Sequence, residues 1–318
     1  LPPRIWDRRR SEVIIRGSWP KVRLIVHAPA TRGRLIIWRH EGVNITKGER
    51  ERILWRRLSA QHLDRRYPRS SLKEVVGACG VQNTPPGSAS ISLIARIDGI
   101  SPDEVRHQLE DDRMLVQAWS LRAAPHIFPV DDYHTFTQGL LPWEETFLRH
   151  FIKGAVDSLD KVELSVTELT EIMFPAVTEV LDGIGLNKAR LAGEVADLMC
   201  SRISSNLHNL WNAPGPFGRF GETLVGYGLY IGSLAGAVCH GPRKGTSALL
   251  VRPDQWLDPL APSDPLKARM DLVRKYLHCY GPSTPGSMAA WSGLHPQQVS
   301  EMWKCISEEV MQVSLGGR

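Results

Sequence analysis

The tightest constraint on the fold is a well-marked helix start that runs almost at once into a strand-turn-strand. Ser101-Pro102-Asp103-Glu104 combines a capping serine, a proline in the first helical position and a glutamate three residues after the cap. Such a set satisfies the orphan N–H groups of a helix N-terminus and fixes where the helix begins. Val105 and Leu109 supply its apolar stripe. Leu115 to Arg122 then reads as a strand, Ala123-Ala124-Pro125 as a turn, and His126-Ile127-Phe128-Pro129 as the returning strand. Three short helices precede this unit. Thr46-Lys47-Gly48-Glu49 is a capping box with Ile53, Leu54, Leu58 and Leu63 behind it; Ser71-x-x-Glu74 opens a second helix ending at Gly80; Ala89 to Ile97 forms a third. Short helices closed by a hairpin make a winged helix.

The order recurs without a strict period. Helices are expected over Trp143–Leu159, from the Ser165-x-x-Glu168 cap through Ile172, over Lys188–Ser201 and over Leu224–Ala235. Two strands, Ala237–His240 and Ala248–Pro253, follow, with the basic tip Gly241 to Thr246 between them. A third set starts at Asp264, with Leu266, Met270, Val273 and Leu277 striping one helix, then Thr284–Trp291, Pro296–Ile306 and a strand from Val310 that lacks a returning partner. The expected fold is therefore mostly α with small β-hairpins, as tandem winged-helix units over residues 46–142, 143–262 and 263–318, the last incomplete. Residues 1–45 are a basic N-terminal arm, in which Arg34 to Trp38 has the composition of a short strand.

Charge is distributed unevenly. The formal net charge is +5, yet residues 1–69 carry 18 Lys/Arg against 6 Asp/Glu (net +12), and the remainder 21 against 28 (net −7). Such asymmetry favours a polyanionic partner or a membrane surface over a neutral one. Arg52, Arg56 and Arg57 occupy much of the far side of the first helix and read there as a solvated face. No run reaches the ~18 apolar residues of a membrane span; the longest candidate, Leu224 to Val238, is broken by four glycines. The five cysteines (79, 200, 239, 279 and 305) are odd in number and never paired as Cys-x-x-Cys, which argues against a zinc site or disulfide framework and for a reducing compartment. No metal or cofactor is expected.

The chemistry-bearing stretch is Gly80-Val81-Gln82-Asn83-Thr84-Pro85-Pro86-Gly87-Ser88. An amide, a second amide and a hydroxyl sit before two prolines that stiffen the backbone and forbid helix. Uncharged hydrogen-bonding groups on a rigid corner suit a site that holds a water or a base edge. The same residues also suit an ordinary turn joining two helices.

The run Cys79-Gly80-Val81-Gln82-Asn83-Thr84, followed by a helix, Leu115 to Arg122 and then His126, resembles the AlkZ/YcaQ-type DNA glycosylases. So do Leu250-Val251-Arg252-Pro253-Asp254-Gln255-Trp256 and Tyr276-Leu277-His278-Cys279-Tyr280-Gly281-Pro282-Ser283-Thr284-Pro285. The resemblance runs from about Thr46 to Leu315. These bacterial proteins of tandem winged helices act on bulky or crosslinking alkyl lesions, which implies duplex DNA as partner, a monomer, and a cytoplasmic, nucleoid-associated setting. Their Gln-x-Gln or Gln-x-Asp motif positions the water that attacks the sugar. The resemblance puts Gln82 at the first catalytic position, and Thr84 at the second as a departure, because threonine can orient a water but cannot be a base at neutral pH. Arg122 and His126 match an Arg…His pattern beside the first wing. With Asn83, and with Arg243 and Lys244 at the second wing tip, they are the expected DNA-binding residues, Asn83 also bracing the turn. The resemblance also implies a C-terminal β-barrel after the third winged helix, which is expected to be missing from residues 1–318. The implied reaction is monofunctional hydrolysis of the N-glycosidic bond of cationic, alkylated purines. The alternative from another class is a non-catalytic winged-helix regulator.

Overall fold

A computed structural model describes residues 35–38, 46–245, 247–260 and 262–313. Strand β1 (Leu35–Trp38) comes first, then α1 (Lys47–Ala60). The Thr46 box closes as expected: the Thr46 N–H donates to Glu49 Oε2 at 3.0 Å and the Glu49 N–H to Thr46 Oγ1 at 3.3 Å. Next come α2 (Leu72–Gly77), the two-residue strand β2 (Val81–Gln82), α3 (Ser88–Ile94) and α4 (Pro102–Glu110). Ser101 and Glu104 cap α4 reciprocally, at 2.8 and 3.2 Å. The wing is β3 (Leu115–Trp119) and β4 (Pro125–Pro129), and α5 (Tyr133–Phe136) links it onward.

In the second unit the single helix expected over Trp143–Leu159 is two, α6 (Glu145–Phe151) and α7 (Val156–Lys161). They part around Gly154, where a Cβ would lie 2.7 Å from the Tyr227 hydroxyl, so glycine is kept for close approach at the cost of helix propensity. Conversely, α8 (Val166–Val180) continues past Ile172 and through Pro175. Buried Leu169, Met173, Ala176 and Val177 tie its whole length into the core, and that packing outweighs the missing N–H. Then follow α9 (Lys188–Cys200), α10 (His208–Trp211), the small ribbon β5 (Pro214–Gly215) and β6 (Gly218–Arg219), and α11 (Phe220–Ala235). The second wing is β7 (Cys239–Lys244) and β8 (Ser247–Val251), followed by α12 (Pro253–Trp256). The third unit holds α13 (Pro265–Tyr280), α14 (Pro285–Ser292), α15 (Pro296–Lys304) and β9 (Val310–Val313). No helix among the described residues is long and apolar enough to cross a membrane.

The two wings are one sheet, in the order β2-β4-β3-β7-β8, joined where Gln117 pairs with His240. Its two faces serve different cores. Val116, Ala118 and Phe128 pack with the third unit's Tyr276, Leu277 and Trp303, while Leu115 and Ile127 face the helices of the first unit and Trp119 joins the core of the second. Strand β9 does have a partner: it pairs in parallel with β1, Leu35 opposite Val310 through Trp38 opposite Val313. The arginine face of α1 is also not simply solvated. Arg56 Nη1 donates to the His278 carbonyl at 2.9 Å, Arg57 Nη2 to that of Pro282 at 2.7 Å and Gln61 Nε2 to that of Cys279 at 3.3 Å. These carbonyls lie at and just beyond the end of α13, where acceptors lack helical partners and the dipole is negative.

Candidate active site on the proline-stiffened corner

Gly80 ends the α2 segment with φ +69 and turns the chain into β2. Val81 pairs with Ile127 and Gln82 with His126, so β2 is the edge of the sheet. Cross-strand partners share a face and neighbours alternate, which sends Gln82 and Asn83 to opposite sides. Gln82 and Thr84 are exposed, whereas Asn83 is 9% exposed.

Asn83 is the brace. Its N–H donates to the Pro125 carbonyl at 2.8 Å. Its Oδ1 accepts from the Gly87 N–H at 2.8 Å and the Ala89 N–H at 3.3 Å, and its Nδ2 donates to Gln117 Oε1 at 2.6 Å. One carboxamide thus closes the turn, serves free donors at the start of α3 and ties the corner to β3. That accounts for its side chain inside the protein, rather than presenting it outward as expected of a DNA contact. Gly87 takes φ +94, and Ser88 Oγ donates to the Gln82 carbonyl at 3.2 Å.

Gln82 is held from the far side by Arg122. Arg122 Nη2 donates to Gln82 Oε1 at 3.1 Å, and Nη1 to the Trp291 carbonyl at the end of α14 at 2.9 Å. Arg122 and Ala123 both sit in the left-handed region, at φ +54 and +53. His126, grouped with Arg122 from the sequence, is placed differently: it is 3% exposed and its Nδ1–H donates to the Ala124 carbonyl at 2.9 Å. Burial pushes its pKa down to about 4, and the nearby Arg122 adds to that, so the ring is neutral at physiological pH. It braces the wing and presents no charge at the surface.

Arg243 and Lys244 are exposed at the second wing, but they lie in β7 opposite Ala248 and Ser247 rather than in the expected tip over residues 241–246. The Arg243 N–H donates to Glu110 Oε1 at 3.0 Å. A cavity of about 320 Å³ runs from this hairpin to the corner, its lining including Asn83, Gln117, Trp119, Lys188, His240 and Arg243. Lys188 Nζ donates to the Tyr230 hydroxyl at 2.9 Å and stands 5.2 Å from the Trp119 ring centre. Neither Gln117 nor Lys188 was marked by any sequence signal, because what makes them neighbours of the corner is the fusion of the two wings. Trp119 is buried.

Residues 75–318 match the family described as DNA glycosylase AlkZ-like. The chain belongs to that family. A relative from Streptomyces sahachiroi, described as an interstrand DNA cross-link repair glycosylase, is 24% identical over 277 residues, spanning 83% of this chain and 68% of the relative. The solved structure of a Streptomyces sahachiroi DNA glycosylase AlkZ superposes with a TM-score of 0.60 at 20% identity, covering 80% of this chain and 64% of that one. The chain thus spans just under two thirds of that protein, and the likeness carries the AlkZ fold of tandem winged helices.

Proposed function

We propose that the protein is a monofunctional DNA glycosylase that removes cationic alkylated purines, bulky or crosslinking adducts among them, from duplex DNA in the bacterial cytoplasm. A purine alkylated at N7 already carries positive charge, so its bond to C1′ breaks without prior protonation. The bonding pair moves to the base nitrogen, the base leaves neutral, and positive charge develops on the sugar. What the protein must add is a water held against C1′ and dipoles fixed before the reaction, the kind of preorganisation that accounts for much of enzymatic rate enhancement. Gln82 holds the water by accepting one of its hydrogens on Oε1, and Thr84 offers a second hydrogen-bonding hydroxyl. Once water has bonded to C1′ it is a strong acid and loses its proton to solvent, so no side chain need act as a base. Arg243 and Lys244 contact backbone phosphates.

The observation that carries the reading is the exposure of Gln82, its Oε1 held by Arg122, on a corner braced by the Asn83–Gln117 hydrogen bond. The test is release of free base from duplex DNA containing N7-methylguanine. Gln82→Ala should lower single-turnover release ~10²–10³-fold, the range for loss of one oriented catalytic dipole, and leave DNA affinity within twofold. Thr84, in place of a carboxylate or amide, is the one observation favouring a non-catalytic DNA binder. Tight binding indifferent to the lesion, with no base released, would establish that reading instead.

A further inference from the structure

Resting on the glycosylase reading, we propose that Arg122, at the turn of the first wing, is a positioning residue that orients the Gln82 carboxamide, and that it is itself held in place by α14 of the third unit. Gln82 stands on a two-residue edge strand, exposed, with a side chain of three rotatable bonds. Left free, it would lose rotamer entropy on engaging a substrate. The guanidinium of Arg122 removes much of that freedom beforehand, because it is itself clamped between Gln82 Oε1 and the Trp291 carbonyl.

The contact also selects which end of the amide faces outward. Arginine has five donors and no acceptor, so only the carbonyl oxygen can face it. Gln82 is left with one Oε1 lone pair and both Nε2 hydrogens for a ligand. A water accepted by that lone pair has its own lone pairs free to approach C1′, which the flipped amide would not allow.

The clamp belongs to the third unit as much as to the first. Gly293, the left-handed cap of α14 at φ +78, lies against the backbone of Arg122. A Cβ there would stand 3.0 Å from Arg122 Cα and 3.0 Å from its Cγ, so only glycine allows this approach. Arg122 and Ala123 are non-glycine residues held at positive φ, a conformation that persists only where its surroundings impose it. Docking of α14 on the turn thus fixes the arginine, and the arginine fixes the glutamine. The like charge this brings near the developing cation is offset by the phosphates flanking the sugar.

The experiment is single-turnover release of N7-methylguanine at saturating protein, with DNA affinity measured separately, for Arg122→Ala, Arg122→Lys and each combined with Gln82→Ala. The proposal expects Arg122→Ala to lower the saturated rate at least tenfold, and less than twofold in the Gln82→Ala background. Arg122→Lys keeps the charge but cannot span both acceptors, so it should restore DNA affinity and leave the rate low. Full rescue of the rate by lysine, a loss confined to affinity, or independent losses in the double variant would each overturn it. A readout independent of activity separates this proposal from the function it rests on. In the free protein the Gln82 side-chain NH₂ should have a rigid ¹⁵N relaxation signature that becomes mobile in Arg122→Ala. An equally mobile NH₂ in both proteins would refute the clamp whether or not base is released.

Discussion

Replacing Asn83 with alanine should damage the corner out of proportion to the few atoms removed. Three hydrogen bonds disappear, those to the N–H groups of Gly87 and Ala89 and the one to Gln117 Oε1. Each is worth ~1 kcal/mol net, and a buried group left without a partner costs ~1–3 kcal/mol. Gly87 is exposed and water can serve its N–H, but Ala89 is fully buried. Gln117 is 8% exposed, so its carbonyl is also left short of a partner. The sum is about 3 kcal/mol, or ~6–12 °C in melting temperature at the ~2–4 °C per kcal/mol of large domains. Urea unfolding of Asn83→Ala, Gln117→Ala and the double variant gives the coupling directly, and at least ~1 kcal/mol is expected between residues sharing a buried hydrogen bond. If Asn83→Ala unfolds within ~0.5 kcal/mol of the parent, the level of an ordinary surface change, the brace does not exist and Gln82 sits on a loose loop.

Further outcomes follow from the same geometry. Burial holds the pKa values of His126 and His240 at about 4, below the ~6.5 of an unfolded chain. The unfolded state therefore binds the extra protons, and stability is full above about pH 6.5 and lost as pH falls towards 4, by up to ~3 kcal/mol per ring. A urea midpoint flat from pH 7.5 to 4.5 would contradict this. Arg57→Ala should destabilise by ~1–3 kcal/mol through loss of its charged donor to the Pro282 carbonyl, whereas exposed Arg52→Ala should stay within ~0.5 kcal/mol; equal effects would return α1 to a solvated face. Arg243→Gln with Lys244→Gln should weaken DNA binding across sequences and flatten the plot of log affinity against log salt by ~0.9 for each phosphate no longer neutralised. An unchanged slope would remove the second wing from the DNA.

What could be read in the sequence was local. The capping boxes at Thr46, Ser101 and Ser165 form as expected, each closed by residues three apart. Ser71, expected to cap α2 with Glu74, instead ends a 3-10 turn and makes no side-chain cap. Both wings were legible because their strands are separated by short turns. The long-range consequences were not. Nothing near Gln117 marks it as the partner of His240, 123 residues on, and so the shared sheet and the cavity beneath the corner had no signal. Arg56 and Arg57 looked like a solvated face because their acceptors are backbone carbonyls at the end of α13, which carry no side-chain signature. His126 was grouped with Arg122 by pattern, but β4 runs between β2 and β3 inside the sheet and is buried on both faces from His126 to Pro129. At the corner itself, composition identified polar groups on a stiff turn; which amide would brace and which would face outward depended on the register of β2 against β4.

The decisive measurement is free-base release from an N7-methylguanine duplex by the parent protein and by Gln82→Ala, each at saturating protein. The parent should release base, the variant should do so ~10²–10³-fold more slowly, and the two should bind DNA equally well. Equal rates in the two proteins, or no release by a parent that binds the duplex, would contradict a catalytic Gln82.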